Sequence, residues 1–250
     1  MSAEKTMAIV IRLVEFSESS YVATLFTEDF GKITALAKGA RRQKSPFENA
    51  LDLLAISRIV FLRKSSSAMD LLTEARLEQP FRAASRDLTC LYAGYYVAEL
   101  LQTMTDERDP HPELFRSAYK TLQSLNGSQD VGIEVARFEL SMLRDLGHLP
   151  TFSECVECGV SITSNGRRVS FGQLAGGVVC QRCRVGKRHV VSLSSNAIQS
   201  LMQLSDLNSS RDAIELTATV RGEIRGLLNG YISHLLGRRP RMYGYLTQLR

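Results

Sequence analysis

Cys155-Val-Glu-Cys158 is answered by Cys180-Gln-Arg-Cys183, and the rest of the chain is organised around these two pairs. They hold four of the five cysteines and leave 21 residues between Cys158 and Cys180. A Cys-x-x-Cys turn can present two thiolates to one ion, and a second pair completes a tetrahedron of soft ligands that suits Zn²⁺. The usual separation of the pairs is roughly 15–20 residues, so this hairpin is slightly long. Gly159 offers a residue free to take positive φ just after the first pair. A redox pair normally opens a helix inside a βαβ unit, whereas Gly- and Ser-rich sequence without a clear helix follows both pairs here. Two disulfides need an oxidising compartment, to which nothing else in the chain points. Four thiolates close the coordination shell and leave no position for water, which argues against catalytic zinc. The spacing therefore predicts one structural Zn²⁺ held by Cys155, Cys158, Cys180 and Cys183.

Outside the pairs the composition is that of a globular protein, with 44% hydrophobic and 23% charged residues in 250. The opening MSAEKTMAIVIRLVEF carries an acid and lacks the pattern of a secretory signal. No apolar run approaches the roughly 18 residues of a membrane span. A cytoplasmic protein is expected, in a compartment where thiols stay reduced. The net charge of +5 is modest, but it is segregated. No acid stands between Cys158 and Asp206, an interval with Arg167, Arg168, Arg182, Arg184, Lys187 and Arg188. The segment from Gly31 to Ala50 sets Lys32, Lys38, Arg41, Arg42 and Lys44 against Glu48 alone. Segregated positive charge is what a polyanion binder needs.

Before Pro80 the pattern is that of strands. Met7–Val14, Ser20–Thr27, Lys32–Lys38, Leu51–Arg63 and Met69–Leu77 are β-branched or alternating runs joined by short turns. Five strands of this size carrying a basic loop predict an OB-fold barrel, a scaffold often used for nucleic acid. The loop is Lys38-Gly-Ala-Arg-Arg-Gln-Lys-Ser45-Pro46, in which guanidinium forks can reach phosphates without reading bases. After Pro80 the period becomes helical. Helices are expected from Phe81 to about Met104 with Tyr95 and Tyr96 in the core, and over Glu113–Leu125, ended by a left-handed cap at Asn126-Gly127. Further helices are expected over about Gln129–Leu146, over Ser195–Leu207, and over Arg211–Leu236, the last interrupted or weakened by Gly222, Gly226 and Gly230. The fold class is thus α+β and multi-domain. A five-stranded OB-fold barrel fills 1–79, and an α-helical domain fills 80–250 with a zinc hairpin inserted at about 151–190.

No catalytic motif emerges. His111, His148, His189 and His234 share no spacing, and no phosphate-binding glycine loop or Gly-x-Ser-x-Gly elbow is present. Cys90 reads as a small buried hydrophobe. Binding is favoured over catalysis.

Thr24-Leu-Phe-Thr-Glu-Asp-Phe-Gly31, Ala37-Lys-Gly-Ala-Arg-Arg-Gln-Lys-Ser45 and Leu146-Gly-His-Leu-Pro150 running into Cys155 resemble the bacterial RecO family of DNA repair proteins. The resemblance covers nearly the whole chain. It implies a non-enzymatic, nucleoid-associated recombination mediator that binds single- and double-stranded DNA and anneals complementary strands. With RecR such a protein helps load RecA onto DNA covered by single-strand-binding protein, whose acidic C-terminal tail docks on the helical domain. Lys32, Lys38, Arg41, Arg42 and Lys44 are then the phosphate-contact residues of the barrel. Arg167, Arg168, Arg182, Arg184, Lys187 and Arg188 form a second, hairpin patch. Two other classes stay open: a zinc-ribbon transcription or RNA-binding factor, which sequence-selective binding would mark, and a Mg²⁺-dependent nucleic-acid enzyme, which strand cleavage would mark.

Overall fold

β-Branched and alternating sequence carries β1 (Ser2–Ser17) through 16 residues, long enough to serve two neighbours. Ser2–Ile9 pairs with β4 (Ile56–Arg63), and Ala8–Ser17 pairs with β2 (Ser20–Thr27), both antiparallel. The register skips at Ile11 and Phe16, two irregularities that let one strand bend around a barrel. β3 (Gly31–Ala37) follows β2 through a tight turn and pairs in parallel with β5 (Asp70–Gln79). The order β1-β2-β3-β5-β4 closes, which is the OB-fold barrel. Alanines at 8, 23, 35, 37 and 75 line its core and keep the interior narrow enough for Leu25, Ile59 and Phe61 to fill. The computed structural model describes residues 2–42, 45–47, 49–64, 69–83, 87–127, 130–162, 166, 168–206 and 214–246.

Two features depart from the strand reading. Leu51–Ala55 is largely apolar yet not a strand: it is a turn that buries Leu51, Leu54 and Ala55, in which Leu54 takes φ +67 and its N–H bonds the Val10 carbonyl at 2.8 Å. Hydrophobicity there marks burial beneath the barrel end and carries no period. The compact unit also does not stop at Gln79. It runs over Met1–Gln129 and takes in Gly244–Leu246. α1 (Leu88–Met104) packs on β1 and α2 (Pro112–Leu125) on β2, where Phe26 and Phe115 stack with centroids 6.3 Å apart. Gly94 lets α1 approach closely, since a Cβ there would stand 2.7 Å from Leu54 Cδ1 and from Phe81.

Helix starts follow the caps and not the apolar pattern. α1 begins at Leu88 because the Asp87 carboxylate accepts from Thr89 N at 2.8 Å. The expected left-handed end of α2 is absent: Asn126 stays right-handed, and its amide is spent on Arg82 N and the Pro80 carbonyl.

The second unit spans Asp130–Tyr243. α3 (Val131–Asp145), α4 (Ser195–Ser205) and α5 (Ala218–Leu236) pack on one another beside a small antiparallel sheet. That sheet is ordered β7 (Gly177–Val179), β6 (Val169–Gly172), β8 (Val190–Leu193). α5 is unbroken despite its three glycines; at Gly230 the absent Cβ admits the Gln173 amide, which a Cβ would meet at 2.2 Å. Phe152, Phe171 and Tyr231 form an aromatic wedge that fixes α5 to the sheet, and burial raises the Tyr231 pKa. No helix among the described residues is long and apolar enough to cross a membrane.

Asp130 caps α3 through Ile133 N at 3.1 Å and pairs with Arg221 of α5. Burial alone would raise this carboxyl, but the Arg221 hydrogen bond and the amides of Ile133 and Gly132 outweigh it and hold the pKa below the ordinary value. The stabilisation is present above the unfolded value of about 3.9 and is lost as pH falls through the lower folded one. Asp130→Ala is expected to cost about 1 kcal/mol at pH 7. The deficit should vanish in thermal melts recorded at progressively lower pH.

Candidate nucleic-acid interface and metal centre

Two knuckles build the metal centre from matching turns. Gly159 N donates to the Cys155 carbonyl at 2.8 Å and Arg184 N to the Cys180 carbonyl at 3.0 Å, so each Cys-x-x-Cys closes on itself. Gly159 and Gly186 take φ of 71° and 76° in the turns that follow the two pairs. Cys180 N donates to Cys155 Sγ at 3.3 Å, and Cys183 N to Cys180 Sγ at 3.5 Å. The four Sγ atoms all lie within 4.8 Å of one another, with Cys158 and Cys180 3.8 Å apart. A tetrahedral ion with Zn–S near 2.3 Å requires S–S edges of about 3.8 Å. The donor set and its dimensions therefore fit Zn²⁺.

The thiols point the same way. Burial pushes Cys155 up, but the amides of Cys180, Glu157 and Cys158 outweigh it and bring the pKa down to about 6. Hydrogen bonds from Cys183 to the Cys180 and Cys158 sulfurs push its own pKa up to about 12. Four crowded sulfurs cannot all ionise beside one another unless a cation neutralises them. Cys155 is buried and Cys158 exposed, so the cluster sits at the edge of the unit, with no fifth ligand from His189, which is exposed at φ +55.

On the barrel, the basic loop is tied to the end of the β1–β2 hairpin. Gly39 turns at φ 76, Arg42 N reaches the Gly39 carbonyl at 3.1 Å, and Arg41 N reaches the Ser19 carbonyl at 3.1 Å. Arg41 is held on three sides. Its Nη1 lies 3.1 Å from Glu15 and 3.0 Å from the Ser17 carbonyl, and its Cζ sits 5.6 Å from the Tyr21 ring centroid. Lys38, Arg41 and Arg42 are exposed. Lys44 lies outside the described residues.

Lys32 does not belong with them. It is buried at 9% exposure, with Nζ donating to the Gln102 carbonyl at 2.7 Å and to the Thr105 carbonyl. Burial lowers its pKa against the pull of Glu107 and Asp106. Its ammonium is the C-terminal cap of α1, and alternation along β3 cannot reveal a helix waiting on that face.

The comparisons with known proteins bear on the whole chain. Residues 1–81 match the family model for the N-terminal domain of recombination protein O, and residues 85–243 match that for its C-terminal domain. The chain belongs to the RecO family. A DNA repair protein RecO of Rhodopirellula baltica is 39% identical over 263 aligned residues, covering 96% of this chain and 97% of its own. That of Myxococcus xanthus is 33% identical, with 97% and 96% covered, and that of Halalkalibacterium halodurans is 26% identical, with 98% and 94% covered. RecO membership assigns the chain to DNA repair as a recombination mediator. The seam between the two RecO models falls where strands give way to helices, whereas the compact units divide at Gln129.

In this RecO-family chain the second basic patch is partly consumed by structure. Lys187 pairs with Glu157 of the other knuckle at 2.6 Å, and Arg168 with Glu223 at 2.9 Å. Burial raises the Glu223 carboxyl, but Ser194 and Arg168 outweigh it and bring the pKa below the ordinary value. Arg184 reaches Ser170 Oγ at 3.4 Å, while Arg182 and Arg188 are exposed. Arg167 lies outside the described residues. Sequence reasoning missed Phe16, which is 59% exposed on a strand edge. It is the residue skipped between Glu15↔Tyr21 and Ser17↔Ser20, and only the pairing register discloses it.

Proposed function

We propose that the protein binds single and double strands through the barrel loop, anneals complementary strands without nucleotide hydrolysis, and acts with RecR to load RecA onto DNA covered by single-strand-binding protein. The observation that carries this reading is the Lys38–Arg42 loop, whose backbone and Arg41 side chain are tied to the β1–β2 hairpin and whose Lys38, Arg41 and Arg42 are exposed. Two strands repel through their phosphates, and a surface that neutralises both lowers the barrier to pairing without consuming energy. In this reading Arg42, Lys38 and Lys44 meet phosphates, and Arg41 braces the hairpin while facing the strand. Arg182 and Arg188 form the residual patch on the zinc knuckle.

Zn²⁺, held by Cys155, Cys158, Cys180 and Cys183, supplies cross-linking only. In the same reading the acidic tail of single-strand-binding protein docks on the second unit, where Lys and Arg outnumber Asp and Glu.

The test is annealing of two complementary oligonucleotides without nucleotide, with single-strand affinity followed against salt. An Arg41→Ala/Arg42→Ala/Lys44→Ala variant is expected to lose most of the annealing rate. Its log–log salt slope should fall by about 1.4, from the two phosphate contacts of Arg42 and Lys44 at roughly 0.7 each for single strands. No annealing by folded, metal-loaded wild type would overturn the reading, and sequence-selective binding that is lost when the zinc hairpin is stripped of metal would favour a zinc-ribbon factor.

A further inference from the structure

Beside the basic loop a cavity of about 280 Å³ opens between the β1–β2 hairpin and the turns at residues 45–52. Its size lies just under the ~300–1,000 Å³ of clefts for drug-sized ligands, so it suits one small planar group. The floor is apolar: Leu13, Phe47 and Leu51. Tyr21 and the braced Arg41 form one wall, a ring and a planar cation already stacked on each other. Arg42 borders the same cavity, next to the phosphate-contact positions.

The exposed lining residues Asn49 and Asp52 stand at its rim, an amide and a carboxylate three residues apart in one pair of turns. Those turns are closed by Ala50 N on the Phe47 carbonyl and Ala55 N on the Asp52 carbonyl, both at 3.0 Å. Asn49 takes φ +58 there, a left-handed conformation that Asn tolerates better than most residues.

We propose that this cavity receives a single unstacked base of the bound strand, and that its rim selects guanine. The inference rests on the DNA-binding reading and adds a base pocket to it. Guanine is the base whose Watson–Crick edge offers two adjacent donors, N1–H and N2–H, to one acceptor-only carboxylate. Its O6 and N7 accept, as the Asn49 amide donor requires. Apolar floor and guanidinium wall accept the π-face of any base, so they contribute affinity and the rim contributes choice. A base drawn into the cavity leaves its flanking phosphates beside Lys38 and Arg42.

The experiment measures binding of the full-length, metal-loaded protein to dT12 carrying one central dG, inosine, dA or abasic residue. Wild type is expected to bind the dG strand on the order of tenfold more tightly than the abasic one, the range that stacking of one base supplies. Inosine, which lacks the N2 amine, should fall between dG and abasic. Asp52→Ala and Asn49→Gly test the rim. Asp52 is exposed, and glycine accepts the Asn49 backbone, so both variants keep the fold. Within Asp52→Ala the dG and inosine strands should bind alike, and within Asn49→Gly the advantage of dG over dA should shrink but persist, because Asp52 still accepts from N1–H and N2–H. Equal, salt-dependent binding of all four strands by wild type would overturn the pocket and leave the loop's phosphate binding standing. A dG advantage over dA that survives undiminished in both variants, or dA equal to dG in wild type, would overturn the guanine assignment. No binding of any strand would sink the pocket together with the DNA-binding reading.

Discussion

Cys155→Ser is expected to abolish metal binding and lower the stability of the second unit by on the order of 4 kcal/mol. The size follows from how little else holds the knuckles. Their sheet has strands of 4, 3 and 4 residues, too short to stand alone. Cys155 is 2% exposed and receives the Cys180 amide, so a serine hydroxyl there would be both buried and unable to bind the ion well. Cys180→Ser should act in the same direction. The measurement is metal content by atomic spectroscopy together with a calorimetric melt, where a loss of this size shifts the second unit's transition by roughly 15 °C. Stripping wild type with a chelator should reproduce the shift and leave the barrel transition in place. A metal-free protein that melts like the loaded one would show that the hydrophobic wedge of Phe152, Phe171 and Tyr231 holds the sheet unaided.

The parts of the structure legible in the sequence are those encoded by local signals. The two cysteine pairs announce a tetrahedral donor set because a Cys-x-x-Cys turn leaves few other geometries, and the four sulfurs converge as that spacing requires. All five barrel strands are recoverable from β-branched, apolar or alternating runs, β4 with its start set five residues too early at Leu51. What alternation could not convey is which face another element covers. Lys32 alternates like a surface residue, yet it faces the end of α1, some seventy positions further on. Leu51–Ala55 is hydrophobic like a strand, yet it is a turn fixed by the Val10 carbonyl of β1. The same limit hid the base pocket. Tyr21, Arg41 and Asp52 come from three segments, and only the closed barrel brings them to one cavity. The sequence boundary at Pro80 marks a change of secondary structure, while compactness is decided by α1 and α2 folding back on β1 and β2.

Gly31→Ala is expected to destabilise the first unit by roughly 4 kcal/mol, because two independent penalties coincide. Gly31 turns the chain at φ +66, and a Cβ there would stand 2.1 Å from the Asp109 carbonyl oxygen and 2.4 Å from its carbon. Backbone on the receiving side cannot swing away as a side-chain tip could. The segment it would strike is fastened at both ends of the contact: Arg108 N donates to the Lys32 carbonyl at 2.9 Å, and Lys32 Nζ reaches back to Gln102 and Thr105. The turn is equally fixed, since Thr27 Oγ1 donates to the Gly31 carbonyl at 2.7 Å and accepts from Phe30 N at 3.1 Å. Relief therefore requires lifting the 105–110 segment off the barrel, which takes the Thr105 carbonyl from the buried Lys32 ammonium. Calorimetry should record a first-unit transition lowered by about 15 °C, with metal content and the second transition unchanged. A Gly31→Ala protein that melts with wild type would mean that the 105–110 segment is not seated on this turn.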